Sequence, residues 1–236
     1  MRARPRPKRA KLEDAPTYRR GPRKTLSRES WITAALRLLE KSGIGSVKID
    51  LLARQLRVTR GSFYFHFSGL GDLQEALLKE WRRRNCLPFE ALGAETGLNG
   101  LALFERTVGI WVDEAPFRPL LDLAVRDWSR NARKLAHEVE GADGLRVALL
   151  ERAFRAIGYP DEESLVRARI TYFHQIGYYA LSFKENDADR RRYQPIYGRV
   201  LLGSLGAVPA SASSLPASKS GVTCMSTNSR HMSRAR

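Results

Sequence analysis

Across residues 46–67 an apolar pattern of helical spacing stops, turns within three residues and starts again, and this restricts the fold more than any other feature of the chain. Ile49, Leu52, Ala53 and Leu56 recur along one helix face and leave Lys48, Asp50, Arg54 and Gln55 on the wet side. Arg57-Val58-Thr59 then turns the chain, and Thr59 stands where a hydroxyl caps a short third helix over 60–66. In that helix Phe63 and Phe67 lie four apart and face inward, which leaves Arg60, Ser62, Tyr64 and His66 for a partner. An earlier helix opens at Ser27 as N-cap, carries Ile32, Ala35, Leu36 and Leu39 on one face and stops at Gly43. A fourth, from about Asp72, carries Leu73, Ala76, Leu77 and Trp81 and ends in Arg82-Arg83-Arg84. The second and third helices with their tight turn describe a helix-turn-helix, in which small Ala53 permits close packing and the outer face of the third helix enters a major groove. Spacing alone leaves two readings open, a DNA-reading head or a helical hairpin whose polar face is solvated.

Charge separates these readings only in part. Residues 1–24 hold ten Lys/Arg against two acids and residues 25–85 eleven against six, so most of the net +16 lies in the first third of the chain. A polyanion partner fits that concentration. Anionic lipid, RNA or plain solvated charge fits it too. Residues 1–24, rich in Arg, Lys and Pro without periodicity, read as a disordered arm.

Residues 32–81 resemble the DNA-binding domain of the TetR/AcrR family of transcriptional regulators. The most specific stretch is VTRGSFYFHF, residues 58–67, which agrees with the family's Val-Ser/Thr-x-x-x-Leu/Phe-Tyr-x-His-Phe signature at every defined position. The resemblance implies a homodimer that binds a palindromic double-stranded DNA operator, most commonly as a repressor. Within it, Thr59, Arg60, Gly61 and Ser62 would open the recognition helix against base edges or flanking phosphate, Arg60 through two hydrogen bonds to guanine. Tyr64 and His66 would grip phosphate, Phe65 would touch sugar or a thymine methyl, and Lys48 would meet a phosphate at the start of the second helix. Two positions depart from the family. Arg57 replaces the usual glycine of the turn, at roughly 1 to 2 kcal/mol if the left-handed geometry is kept. Leu70 replaces a phosphate-gripping lysine, a loss that the basic arm, with Arg19, Arg20, Arg23 and Lys24 just before the first helix, is placed to offset.

The expected architecture is therefore all-α: an arm over 1–24, a helix-turn-helix DNA-binding domain over 25–85, a larger helical ligand-binding and dimerisation domain over 86–206 and a Ser/Ala-rich disordered tail over 207–236. In the larger domain helices are expected over 101–114, 117–131, 133–157, 161–184 and 189–203, with Gly158 and Pro160 separating the third from the fourth. Segments such as LLDLAVRDWSRN resemble TetR-family C-terminal domains, though more loosely than the head does. On that resemblance Ile170, Phe173, Ile176, Gly177, Ala180 and Leu181, joined by Val200 and Leu201, form a stripe that pairs across a twofold axis, an internal core being the other reading. Phe104, Trp111, Trp128, Tyr172 and Tyr178 are the candidates to line the pocket of a small-molecule effector whose identity the sequence does not give.

Other classes lack support in the residues. Cys86 and Cys224 have no Cys/His partners at metal-ligand spacing, so neither a zinc site nor a disulfide framework is expected. Asp122, Asp127, His137 and His174 are scattered without a catalytic signature, and neither an enzyme nor a cofactor is expected. With no apolar run of spanning length and no apolar segment behind the basic N-terminus, no membrane partner is expected and the cytoplasm is the default location. An architectural DNA binder that keeps the head and lacks a pocket remains the other DNA-binding possibility.

Overall fold

A computed structural model describes residues 26–181 and 186–203, and its described residues form an all-α protein of ten helices. The first, α1 (Arg28–Ser42), starts where the Ser27 hydroxyl accepts the Ser30 N–H at 3.3 Å and ends at Gly43, whose φ of 74° lets its N–H return to Leu39. Its buried face holds Trp31 and Ala34 as well as the expected Ala35, Leu36 and Leu39, while Ile32 sits at the margin. A 3-10 turn, Ile44–Ser46, and the buried anchor Val47 delay α2 until Ile49–Leu56, three residues later than the apolar spacing suggests.

The third helix, α3 (Arg60–Phe63), is one turn long rather than extending to His66. Beyond Phe63 the backbone tightens to three-residue bonds, Tyr64 N–H to Gly61 and His66 N–H to Phe63, which swings Phe67 onto Phe63 with ring centres 5.0 Å apart. The Thr59 side chain makes no capping hydrogen bond; its carbonyl accepts from Ser62 instead. Then α4 (Leu70–Trp81) begins two residues before Asp72, whose carboxylate caps the turn by accepting the Ser68 N–H at 3.1 Å.

At the three arginines the expected stop does not occur. The helix widens into a π-helical stretch, Arg82–Cys86, and continues as α5 (Leu87–Ala94) across the expected domain boundary. Pro88 explains the widening: its ring cannot donate and would crowd the carbonyl four residues back, so the chain adopts a longer repeat, with Leu87 N–H bonding to Arg82. The remaining elements are α6 (Gly100–Val112), α7 (Pro119–Ser129), α8 (Arg133–Ile157), α9 (Asp161–Ala180) and α10 (Asp187–Leu202). Gly158, left-handed at φ 114°, ends α8 as its position predicts.

Two apolar cores result. The first, under α1–α4, takes in Leu121 and Val125 of α7 and Leu135 and Val139 of α8, so head and body share a core. The second gathers Phe89, Phe104, Trp111, Leu150, Phe154 and Tyr172 between α5, α6, α8 and α9. There α6 rests directly on the α8 backbone: a Cβ on Gly100 would lie 2.6 Å from Ala153 O and from Ile157 N.

Between the cores lies a buried ion pair. Arg146 of α8, 1% exposed, donates to both oxygens of Asp122 of α7, 4% exposed, at 3.0 and 3.2 Å. Asp122 also accepts Trp81 Nε1 at 3.0 Å from α4, and Arg146 donates to the Asn85 carbonyl of the π-helical stretch at 2.9 Å. Burial opposes the charge of Asp122, but Arg146 beside it outweighs burial and keeps the carboxyl below its ordinary range. Because the folded value is the lower one, ionised Asp122 stabilises the protein above the unfolded value of about 3.9, and that contribution is lost as pH falls through the folded value. Asp122→Asn removes the closest counter-charge of buried Arg146 and leaves it only Asp143, 3.5 Å away and shared with Arg126, so a loss of about 3 kcal/mol is expected in urea unfolding at pH 7. A midpoint within about 0.5 kcal/mol of wild type would contradict this, since that is the range of ordinary surface substitutions.

Candidate nucleic-acid interface

The helix-turn-helix is held from below by Trp31, Phe63 and Phe67. Trp31 meets the Phe63 edge at 5.3 Å, and the Arg28 guanidinium lies 4.6 Å over the Phe67 ring while also bridging to Asp72 at 3.2 Å. With those rings inside, the opposite face of α3 and the following turn presents Arg60, Gly61, Tyr64 and Phe65 to solvent, with Thr59 exposed before them and Ser62 and His66 half-buried. Phe65 is 87% exposed and Tyr64 51%, so Phe65 leaves nearly a whole apolar ring in water, where removal of that surface is favourable. Lys48 is exposed at the start of α2. Arg23 and Lys24, together with the whole arm and the tail, lie outside the described residues.

Asp50 is a member of this surface that sequence reasoning passed over. Its carboxylate stands 3.5 Å from the Arg60 guanidinium, both side chains being largely exposed, and Tyr64 and then Asp50 raise the pKa of Arg60. The signal was present in the spacing, because residues 50 and 60 occupy facing outer positions of two helices joined by a three-residue turn.

The two departures noted in the sequence have definite structural consequences. Arg57 keeps the left-handed geometry, φ 57° and ψ 42°, with its N–H bonded to Arg54 and the Val58 N–H bonded to Ala53; the turn is not remodelled. Leu70, at the first position of α4, is half-buried against the head core, so apolar packing stands where a cationic side chain would reach phosphate.

In the body, Val166, Ile170 and Phe173 of α9 and Leu181 just after its end are each more than half exposed along one stripe, and Tyr193, Ile196, Tyr197 and Val200 of α10 are exposed as well. Gly177 is half-buried and Ala180 exposed beside them. Ile176 departs from the expected stripe: it packs against the body core, and Leu201 does likewise, because each lies about a quarter-turn from the exposed line. Val166 and the α10 aromatics were not among the expected residues.

Phe104, Trp111 and Tyr172 are packed inside the body core, with Phe104 against Phe154 at 5.5 Å and Trp111 against Tyr172 at 5.9 Å. Trp128 packs on the head core, and Tyr178 lies near His174 with the Arg190 guanidinium over its ring. A cavity of about 250 Å³ lies elsewhere, between the π-helical stretch and α8. Of the scattered acids and histidines, Asp122 serves the buried pair, Asp127 meets Arg130, His137 meets Glu140 and His174 packs on Tyr197. Among the described residues no group of three or more His, Cys, Asp or Glu is arranged to hold a metal ion, and no helix is long and apolar enough to cross a membrane.

Residues 32–77 match the family model described as bacterial regulatory proteins, tetR family. No curated protein matches the chain. Among solved structures, AmtR of Mycobacterium smegmatis is similar in fold, with a TM-score of 0.55 at 21% identity over 80% of this chain and 90% of its own. BioQ in complex with its natural double-stranded DNA operator is 24% identical over 78% of this chain and 99% of that one, with a TM-score of 0.31. The TetR family repressor AlkX from Dietzia sp. strain DQ12-45-1b is 18% identical over 75% and 95%, with a TM-score of 0.34.

Arg57 offers a direct test of the turn. Replacement by glycine relieves the left-handed strain, partly offset by the greater chain entropy of glycine, so Arg57→Gly is expected to gain up to about 1 kcal/mol in urea unfolding. A loss of stability would mean that the Arg57 side chain contributes more than the backbone strain removes.

Proposed function

We propose that this chain, whose residues 32–77 match the model of the tetR family of bacterial regulatory proteins, is a DNA-binding transcriptional regulator that acts as a homodimeric, ligand-responsive repressor of a palindromic operator. The observation that carries the reading is the surface of α3 and its following turn, where an almost fully exposed phenylalanine stands beside Arg60 and Tyr64 on a rigid apolar base. Water is a poor permanent neighbour for Phe65; the sugars and thymine methyls of a groove are a good one.

In this reading α3 enters the major groove. Arg60 leaves Asp50 for the acceptor edge of guanine, Thr59, Gly61 and Ser62 lie along the groove floor or flanking phosphate, and Tyr64, His66 and Lys48 hold phosphates. In the free protein Asp50 is only a weak, solvent-exposed neighbour of the Arg60 guanidinium, so little is lost when Arg60 leaves it. Arg23 and Lys24 extend the contact along the backbone or minor groove. The domain division at 85/86 and the unstructured arm and tail belong to the same proposal.

The exposed stripe of α9 with its α10 neighbours supports the dimer, because a line of half-exposed Val, Ile, Phe and Leu is covered most economically by its own copy across a twofold axis. Two heads then meet two half-sites, and the spacing between heads becomes the quantity that an effector changes. The chemistry of such a protein is binding, with no catalytic step.

Selection from a random duplex library, followed by footprinting, is expected to return a palindrome. Against it, Arg60→Ala should relax the preference at one base pair per half-site and cost about 1 to 3 kcal/mol, whereas Tyr64→Phe should weaken every sequence alike. The opposite pattern would show that the other side of α3 faces the bases. For the dimer, Phe173→Asp is expected to yield monomers in sedimentation at micromolar concentration and to abolish tight palindrome binding while leaving the helical content intact. An unchanged dimer would remove this stripe from the interface.

A further inference from the structure

Between Ser46 and Phe67 the chain has a single acidic residue, Asp50, against Lys48, Arg54, Arg57 and Arg60. Asp50 lies in the first turn of α2, and its carboxylate reaches across the helix-turn-helix to the Arg60 guanidinium at 3.5 Å, with 66% of the Asp50 side chain and 59% of the Arg60 side chain exposed. A pair this exposed adds little to stability. A carboxylate in a first turn does gain from the helix dipole, but it gains as much on a face turned away from DNA. Against phosphate the acid is repelled, so neither effect accounts for its standing beside the residue that reads bases.

When Arg60 turns to guanine, the Asp50 carboxylate is left in a groove bordered by phosphates, where an acceptor without a donor is unfavourable. The major groove offers two amino donors, N4 of cytosine and N6 of adenine. Adenine sets the acceptor N7 beside its amino group, and an ionised carboxylate has only acceptors, so it is repelled there; an amide suits adenine instead. Guanine and thymine meet a carboxylate with oxygen acceptors. Cytosine offers a donor and no acceptor on that edge. The separation agrees with this choice. Guanine O6 and cytosine N4 are partners within one base pair, about 3 Å apart, and successive bases of a strand rise by about 3.4 Å. A donor and an acceptor 3.5 Å apart on the protein therefore fall on one G·C pair or on adjoining pairs.

Resting on the regulator reading above, we propose that Asp50 is a specificity-determining residue, accepting from the 4-amino group of a cytosine at, or one step from, the base pair whose guanine Arg60 reads. The two side chains form one reading unit, a donor for guanine and an acceptor for cytosine, and the contact between them in the free protein stands in for those that each makes on the operator. The carboxylate also counts against every site without that cytosine, so Asp50 lowers affinity for unrelated DNA at the same time.

The test uses the full chain and the palindrome returned by selection, with equivalent base pairs of both half-sites varied together. Arg60→Ala marks the guanine pair, and the cytosine is sought there and one step to either side. For the wild type, replacing the C·G pair by T·A, which puts an oxygen acceptor where the amino group stood, is expected to weaken binding by about tenfold or more; for Asp50→Ala the same replacement should change it by less than about twofold. Asp50→Asn should move the preferred base at that position from cytosine to adenine, whose N6 and N7 match an amide. Both variants should bind an unrelated duplex more tightly than the wild type does. A native thermal transition checks that they fold. Variants that weaken or strengthen all sequences alike, with the base preference unchanged, would reduce Asp50 to a helix-dipole or repulsive charge and overturn the assignment. So would a selected operator without cytosine within one step of the guanine. In either case the selected palindrome leaves the regulator reading standing; selection of no palindrome would remove both.

Discussion

The contact between Arg146 and Asp122 sets the relation between the two halves of this protein. Neither charge tolerates burial alone, since the solvation lost by each amounts to several kcal/mol, so each requires the other in place. The requirement spreads outward. Asp122 takes the indole N–H of Trp81, Arg146 takes the carbonyl of Asn85, and a second pair, Arg126 with Asp143 at 2.6 and 2.8 Å, adjoins the first through the Tyr172 hydroxyl. Thus α4, the π-helical stretch, α7, α8 and α9 are tied by directional bonds at one point, with Arg118 to Glu40 adding a tie from α7 to α1. Apolar packing brings these helices together without fixing their register; the buried charges select one arrangement.

The widened turn between α4 and α5 gains its meaning from the same contact. Pro88 forbids a regular helix at this point, and the longer repeat that results turns the Asn85 carbonyl toward Arg146. A regular helix would have kept that carbonyl in its own ladder. The irregularity therefore lies where head and body meet, and the adjoining cavity is lined by the residues around it.

Both exposed apolar surfaces are backed by apolar side chains packed inward from the same helix or turn. Phe63 and Phe67 are buried so that Tyr64 and Phe65 are not, and Ile176 turns inward so that Phe173 faces out. Both surfaces are legible in part from spacing. The register of α3 and the inward Phe pair could be read from the four-residue interval, and the α9 stripe from its small residues. Ile176 and Leu201 could not be assigned that way, because residues near the edge of a helical stripe are sorted by which neighbour is closer, and that neighbour is distant in sequence.

What the sequence alone determined is the set of features that arise within a few residues of chain. Ser27 and Gly43 bound α1, Gly158 ends α8, and the outward face of α3 follows from i to i+4 geometry, all of it governed by local backbone bonds and side-chain period. The left-handed turn at Arg57 belongs with these, since the Val58 N–H still finds Ala53 whichever side chain is present. Tertiary structure alone decided that Asp122 is a structural counter-charge, that Leu70 packs inward, that Asp50 stands beside Arg60, and that the cavity lies beside Arg146 instead of among Phe104, Trp111 and Tyr172. Each of these depends on which groups meet across separate elements, and a charge or a ring has the same letters in the sequence whether water or a partner surrounds it.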